Sequence, residues 1–303
     1  MQNNTTCQLM EELSSSNVLT SSLLFTLLSC AIIIPMALLA SYHLWFSRTA
    51  SLFHKNLRII IQFHLLGFLI HSGDRFILHS IDLFNYLFED PCDMIPNVWR
   101  CFWLRLIYAI GLWITSTTVI PLVLERWIAT KYNAVHILIL YSGSQIEGVV
   151  MTYCMVARDS KVNVGEINGY ATVVVQLLAR IVFQYLYKRN EKLRKEQLAS
   201  SLSTRFQLEQ NLLVMDILKM FANMSTIYLG LHAFSFIGVL KLKHIVTPPV
   251  YFALVELNSS YPIYGIVSIL LMYYMLHSNR QKIHNNLQIH VNSKWNGEFF
   301  DKR

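Results

Sequence analysis

Leu122-Val123-Leu124-Glu125-Arg126-Trp127-Ile128-Ala129-Thr130 is the stretch on which the reading of this chain turns. A long apolar run that begins near Trp99 ends there on an adjacent acid and base. Cys101 lies twenty-five residues before Arg126, at the other end of that run. At ~1.5 Å per residue a helix over this interval is roughly 37 Å long, a bilayer core plus part of one headgroup layer. The stretch therefore predicts one membrane-crossing helix with a cysteine at one water interface and a Glu–Arg pair at the other.

Composition agrees. The chain has 303 residues, 54% hydrophobic and 14% charged, and a mean hydropathy of +0.40. One water-soluble domain of ordinary composition does not hide that much apolar surface. The net charge of +7 raises the question of nucleic acid. The basic residues sit in short segments between apolar runs and form no continuous stripe, which argues against that partner.

Working outward, apolar runs of about 20 residues predict seven spans, near 20–46, 57–80, 99–125, 134–156, 168–188, 210–239 and 250–277. The fourth is the weakest, interrupted by Ser142, Ser144, Gln145 and Glu147. Pro248-Pro249 separates the sixth from the seventh, because proline lacks the N–H and disfavours helix in the residue before it. Residues 1–19 read as one tail and 279–303 as the other. No repeat or low-complexity linker appears, so the expectation is an all-α membrane protein, a seven-helix bundle with one core.

Lysine and arginine set the orientation. They gather at Arg48, Lys55 and Arg58; at Arg126 and Lys131; at Lys188, Arg189, Lys192, Arg194, Lys195 and Arg205; and in the C-terminal tail. The first 20 residues have none, and the segment between the second and third spans is acidic, with Asp82, Glu89, Asp90 and Asp93. An N-terminus outside and a C-terminus inside follow, which requires an odd number of spans and so requires the fourth to cross. The first run lacks a basic n-region and is too long for a signal peptide, so it reads as an uncleaved helix. Asn3-Asn4-Thr5 and Asn4-Thr5-Thr6 place glycosylation sequons at Asn3 and Asn4 in the outer tail.

Of five cysteines, Cys30 falls mid-span and reads as a packing residue. Cys92, Cys101 and Cys154 map to the outer, oxidising side. A Cys101–Cys154 bridge would pin the segment after the fourth span over the bundle mouth. Cys92–Cys101 is the rival pairing, and both stay open with the first preferred.

Ionisable groups inside a membrane are costly and mark function by default. Asp74 and Arg75, Arg105 and Glu256 fall in the outer thirds of the second, third and seventh spans. An Asp74–Arg105–Glu256 network is expected there, with Trp113, His232 and Tyr261 adding aromatic and hydrogen-bonding surface. The alternative is a satisfied network that only locks the helices together. Glu147 and Arg180 sit nearer mid-depth and are expected to pair.

At two places the residues carry a resemblance. Asp82-Leu83-Phe84, Asp90-Pro91-Cys92-Asp93, Cys101 and Arg105, followed by Leu124-Glu125-Arg126-Trp127-Ile128-Ala129-Thr130, resemble the nematode serpentine chemoreceptors of the Sra superfamily. Leu202-Ser203-Thr204-Arg205-Phe206-Gln207-Leu208-Glu209-Gln210-Asn211 is similar to that group's L-S-x-R-Y-Q-x-x-E-N signature. The resemblance runs from about residue 20 to 285 and leans to class ab, the Srab receptors, beside the Sra, Srb and Sre classes. The sequence departs from the group after Thr130, where Tyr132-Asn133-Ala134-Val135-His136 lacks the usual Tyr-Glu.

The resemblance implies a G-protein-coupled receptor for an external small molecule or pheromone-like ligand, in the plasma membrane of a sensory neuron. It changes no covalent bond and needs no cofactor or metal. For such a receptor the intramembrane network and its neighbours, Asp74, Arg105, Trp113, His232, Glu256 and Tyr261, are the candidate ligand-binding residues. Glu125 and Arg126, with Glu209 and Asp216 on the sixth span, would form an activation switch facing a heterotrimeric G protein. For Arg126 the alternative is a side chain that snorkels to anionic headgroups as a topology anchor. Three other classes have some footing: a metal hydrolase built on His64, His71, Asp74 and His79, which lacks a complete zinc shell; a transporter or channel, which lacks paired broken halves; and a receptor-like protein that no longer signals.

Overall fold

A computed structural model describes residues 2–47, 55–94, 98–118, 164–196, 202–275 and 277–278. They form eight α-helices and a 3-10 turn, with no strand among the described residues. The helices are α1 (Gln2–Ser14), α2 (Asn17–Phe46), α3 (Lys55–Phe88), α4 (Val98–Thr117), α5 (Val164–Glu196) and α6 (Leu202–Lys241). The turn Leu242–His244 leads into α7 (Pro248–Asn258), and α8 covers 261–275. Six expected spans have helices at their places. The fourth, near 134–156, lies outside the described residues, as do the end of the third and the tail 279–303.

The helices are built inside out relative to a water-soluble bundle. On α2, Leu24, Phe25, Leu28, Ile32, Leu38 and Leu39 are exposed, whereas Ser22, Thr26 and Ser29 are buried. Those three hydroxyls donate back to the carbonyls of Leu19, Ser22 and Phe25, at 2.7, 3.0 and 2.9 Å, so the helix satisfies its own polar groups. Leu177, Leu178 and Ile181 on α5, and Ile227, Leu231 and Phe234 on α6, extend the exposed apolar belt. Water would not tolerate such a surface; a bilayer requires it. By length and composition Asn17–Phe46, Leu218–His244 and Pro248–Met275 are apolar enough to cross a membrane. In α3 the charges lie inside instead: Asp74, Arg75 and His79 are buried while Phe76 and Ile77 face outward.

One core joins α2, α3, α5, α6 and α8 through Ile33, Leu65, Phe68, Phe183, Leu218 and Tyr264. Helix α2 packs on α3 and α7, α3 on α4, and α5 on α6. Gly67 and Gly111 set the α3–α4 spacing. A Cβ on Gly111 would stand 2.8 Å from the Gly67 carbonyl, and one on Gly67 would stand 2.9 Å from the Gly111 carbonyl. Such small-residue contacts let two backbones approach where no hydrophobic effect drives helices together.

Two expectations change. The first 19 residues are not simply a tail, because α1 packs on α2 and α7. Met10 and Leu13 are buried with Leu19, Leu23, Met94 and Ala253, closing one end of the bundle. Asn3 and Asn4 lie in the first turn of α1, and their side chains are outside the described ones. The seventh span is not one helix, for it breaks at Ser259-Ser260 between α7 and α8. Polar Asn258, Ser259 and Ser260 compete for backbone hydrogen bonds there; Ser259 Oγ donates to the Val255 carbonyl at 3.2 Å.

Gly111→Ala is expected to lower the stability of the purified protein by about 1–3 kcal/mol through overpacking. Gly73, whose added Cβ meets nothing within 4 Å, is the control: Gly73→Ala should be neutral or stabilising by up to about 1 kcal/mol. Thermal unfolding in detergent separates the two.

Candidate functional site

The break in the seventh span creates a polar centre. A broken helix leaves carbonyls without partners, and in a membrane no water satisfies them. Arg75 on α3, fully buried, supplies the missing donors. Its Nη1 donates to the Ser259 carbonyl. Its Nη2 donates to the Glu256 carbonyl at 3.1 Å and also to the Glu256 carboxylate. The planar fork of a guanidinium suits this task, and its charge lies at the negative end of α7.

Glu256, itself 1% exposed, is shared by two cations. Its Oε2 meets Arg75, and its Oε1 meets Arg105 Nη2 of α4 at 3.2 Å. Arg75 Nε also donates to His79 Nε2 at 3.1 Å. That nitrogen is then an acceptor, so its 3.4 Å approach to Glu256 Oε2 is proximity rather than an ion pair. The Tyr108 ring centroid lies 5.7 Å from the Arg75 guanidinium carbon and 5.6 Å from that of Arg105, so both cations share one aromatic ring. One carboxylate thus ties together α3, α4 and α7.

Next to this cluster lies an aromatic layer. The His71 ring packs at a tilt against Tyr108, with centroids 4.4 Å apart, and against Tyr261 at 4.8 Å. Tyr261 continues to Phe68 at 5.4 Å and to Tyr228 at 5.8 Å. On the α6 side His232 Nδ1 lies 3.0 Å from the Asn258 carbonyl, and Ser235 donates to the Asn258 side chain, so α6 also holds the broken segment.

Of the expected network, the structure brings Arg105 and Glu256 together. Asp74 interacts electrostatically with Arg105 and hydrogen-bonds the backbone of Tyr108 on α4, and one of its oxygens has no hydrogen-bond partner among the described residues. Positions 74 and 75 point about 100° apart on a helix, so only one of them can face α7, and it is Arg75. Tyr261 and His232 flank the centre, whereas Trp113 is exposed on the side of α4. Glu125, Arg126, Glu147 and Cys154 lie outside the described residues. Glu209 and Asp216 fall within α6, with side chains outside the described ones. Arg180 Nη1 is buried without a hydrogen-bond partner among the described residues.

Cys7 is bonded to Cys92, which pins α1 beside the end of α3. This removes the Cys92–Cys101 alternative. Cys101 is itself disulfide-bonded, and Cys30 is free and buried. The signal for Cys7 was available: four cysteines mapping to one oxidising side allow two bonds.

The histidines do not converge on a metal. His64 Nδ1 bonds Thr118 Oγ1 at 2.6 Å, His71 is held between aromatic rings, and His79 serves Arg75. Among the described residues no three His, Cys, Asp or Glu side chains could hold a metal ion.

An apolar belt, an inward-facing ionic centre and a broken span define a multi-pass helical membrane protein, a seven-helix bundle with its polar chemistry sealed inside. Residues 4–136 and 133–303 match the family described as serpentine type 7TM GPCR receptor class ab chemoreceptor, and the chain belongs to that family. The two matched stretches overlap at 133–136. No curated protein and no solved structure matches the chain.

Removing Arg75 would strand the carbonyls of α7 and remove half of the compensation of Glu256. Arg75→Leu is expected to cost about 3–5 kcal/mol, the range for breaking a buried ion pair from one side. Arg105→Leu, at a side chain 12% exposed, should cost less. Thermal unfolding of the two variants in one detergent checks the ranking. Cys7→Ser should cost about 2–4 kcal/mol and expose Glu11 and Glu12 to a glutamate-specific protease that leaves the parent protein intact there.

Proposed function

We propose that this member of the family is a chemosensory receptor of the plasma membrane that detects an external small molecule and activates a heterotrimeric G protein. The capped end carrying α1 faces outside, in keeping with the lysine and arginine distribution. The observation that carries the reading is the Glu256 centre. With the His232 and Ser235 contacts to Asn258, it makes the geometry of the broken span depend on α3, α4 and α6 at once, so a ligand that shifts any one of them shifts the others. Asp74, Arg105, His232, Glu256 and Tyr261 are the residues through which a ligand would act; the exposed position of Trp113 favours a lipid-facing role for it. A Cys101–Cys154 bond would hold the segment after the fourth span near them. At the inner face Glu125 and Arg126 would face Glu209 and Asp216, and opening that contact would admit the G protein.

The test is expression with an outer N-terminal epitope and an inner C-terminal epitope, followed by an odorant and pheromone screen against a G-protein reporter. Arg126→Ala should abolish the response with surface display retained, and Glu256→Gln should shift ligand potency. Normal signalling by Arg126→Ala would refute the switch. Ligand-evoked current without a G protein would instead mark a channel, and correct display with no response a family member that does not signal.

A further inference from the structure

A concavity of the bundle lies away from the ionic centre. It is an apolar cleft of about 670 Å³, its open side included, between α3, α6 and α8. Its floor is Phe68, Leu218 and Ile269, all buried. Its rim is made of thioethers, Met220 and Met224 on α6 and Met272 and Met275 on α8. Methionine is flexible and polarisable, and it fits irregular apolar guests.

Among the described residues two polar side chains, His64 and Ser268, reach this wall. His64 is engaged with Thr118. Ser268 is buried, and its hydroxyl has no hydrogen-bond partner among the described residues. The Tyr264 hydroxyl lies beside that of Ser268. Among the described residues no charged side chain lines the cleft, so an ionic guest would lose its hydration without compensation. The rim methionines are part-exposed beside the lipid-facing Leu270, which opens the cleft onto the bilayer flank. The opposite approach, from the α1 end, is closed by the packing of Met10 and Leu13.

We propose that this cleft binds a small uncharged molecule, a hydrocarbon chain with one carbonyl or hydroxyl oxygen, which enters sideways from the membrane and places that oxygen at Ser268. The cleft is in contact with the ionic centre through packed rings. Phe68 on its floor touches Tyr261, Tyr261 touches His71, His71 touches Tyr108, and Tyr108 carries both arginines. A guest that moves Phe68 therefore pushes on the layer beneath Glu256. This goes beyond the receptor reading and needs only the bundle, not G-protein coupling.

The experiment uses the full chain in phosphatidylcholine nanodiscs, with empty nanodiscs as the blank and 1-aminoanthracene as the fluorescent probe. 2-Heptanone should displace the probe and hexanoate should not. Met272→Trp, which fills the cleft, should weaken 2-heptanone at least about tenfold, or roughly 1.4 kcal/mol. Ser268→Ala should weaken it about two- to tenfold, the range of one hydrogen bond. Leu39→Trp, the same added bulk on the lipid face of α2, should change nothing. If Met272→Trp does not fold, Met224→Phe on the opposite wall gives the same readout. Equal displacement from the filled-cleft variant and Leu39→Trp, or none from the parent protein, overturns the proposal. No G protein is present, so a receptor that binds without coupling is distinguished from one that does not bind.

Discussion

A guanidinium buried at a helix break is the constraint around which this bundle is arranged. Arg75 has no access to solvent, and an uncompensated charge at that depth would cost many kcal/mol. Compensation comes from one carboxylate and two backbone carbonyls, all on the broken segment around α7. The dependence is mutual. The break at Ser259-Ser260 frees the carbonyls, Arg75 makes the break tolerable, and Glu256 makes Arg75 tolerable. Neither α3 nor the seventh span is stable in this form without the other, which fixes their register.

That register propagates. With α3 fixed against α7, Gly67 faces Gly111, and the close contact places α4 so that Arg105 reaches the free oxygen of Glu256. Tyr108, one turn further along α4, then lies against both guanidinium groups. On the other side His232 and Ser235 attach α6 to Asn258. Four helices thus share one small polar volume. A device of this kind has few intermediate positions, since moving one helix removes partners from buried charges on the others. The methionine-rimmed cleft lies on the yielding side of the same assembly, where flexible side chains replace ion pairs.

The capped end follows a different physics. Helix α1 is too short and too polar to cross a bilayer. It is held instead by two buried apolar residues and the Cys7–Cys92 bond. The disulfide carries its stabilisation largely by restricting the unfolded chain, so an N-terminal segment with little core of its own stays docked on the bundle.

The sequence by itself determined the class of the protein. Apolar runs of membrane length, the bias of lysine and arginine, and the Leu124–Thr130 and Leu202–Asn211 motifs led to the bundle and the family, because length and hydropathy are local quantities. It also marked Glu256 and Arg105 as costly and therefore meaningful. What only the tertiary structure decided is which charges meet. Asp74 and Arg75 are adjacent in the chain and equally conspicuous, yet their directions differ by about 100°, and the rotation of α3 chose Arg75. The break at Ser259-Ser260 was masked by apolar residues on both sides, and its stability depends on a donor nearly two hundred residues away. Cys7 had its bonding chemistry written in the sequence, but its partner was set by where α1 docks. Pairing of that kind depends on distances between helices, and no local property of the chain encodes them.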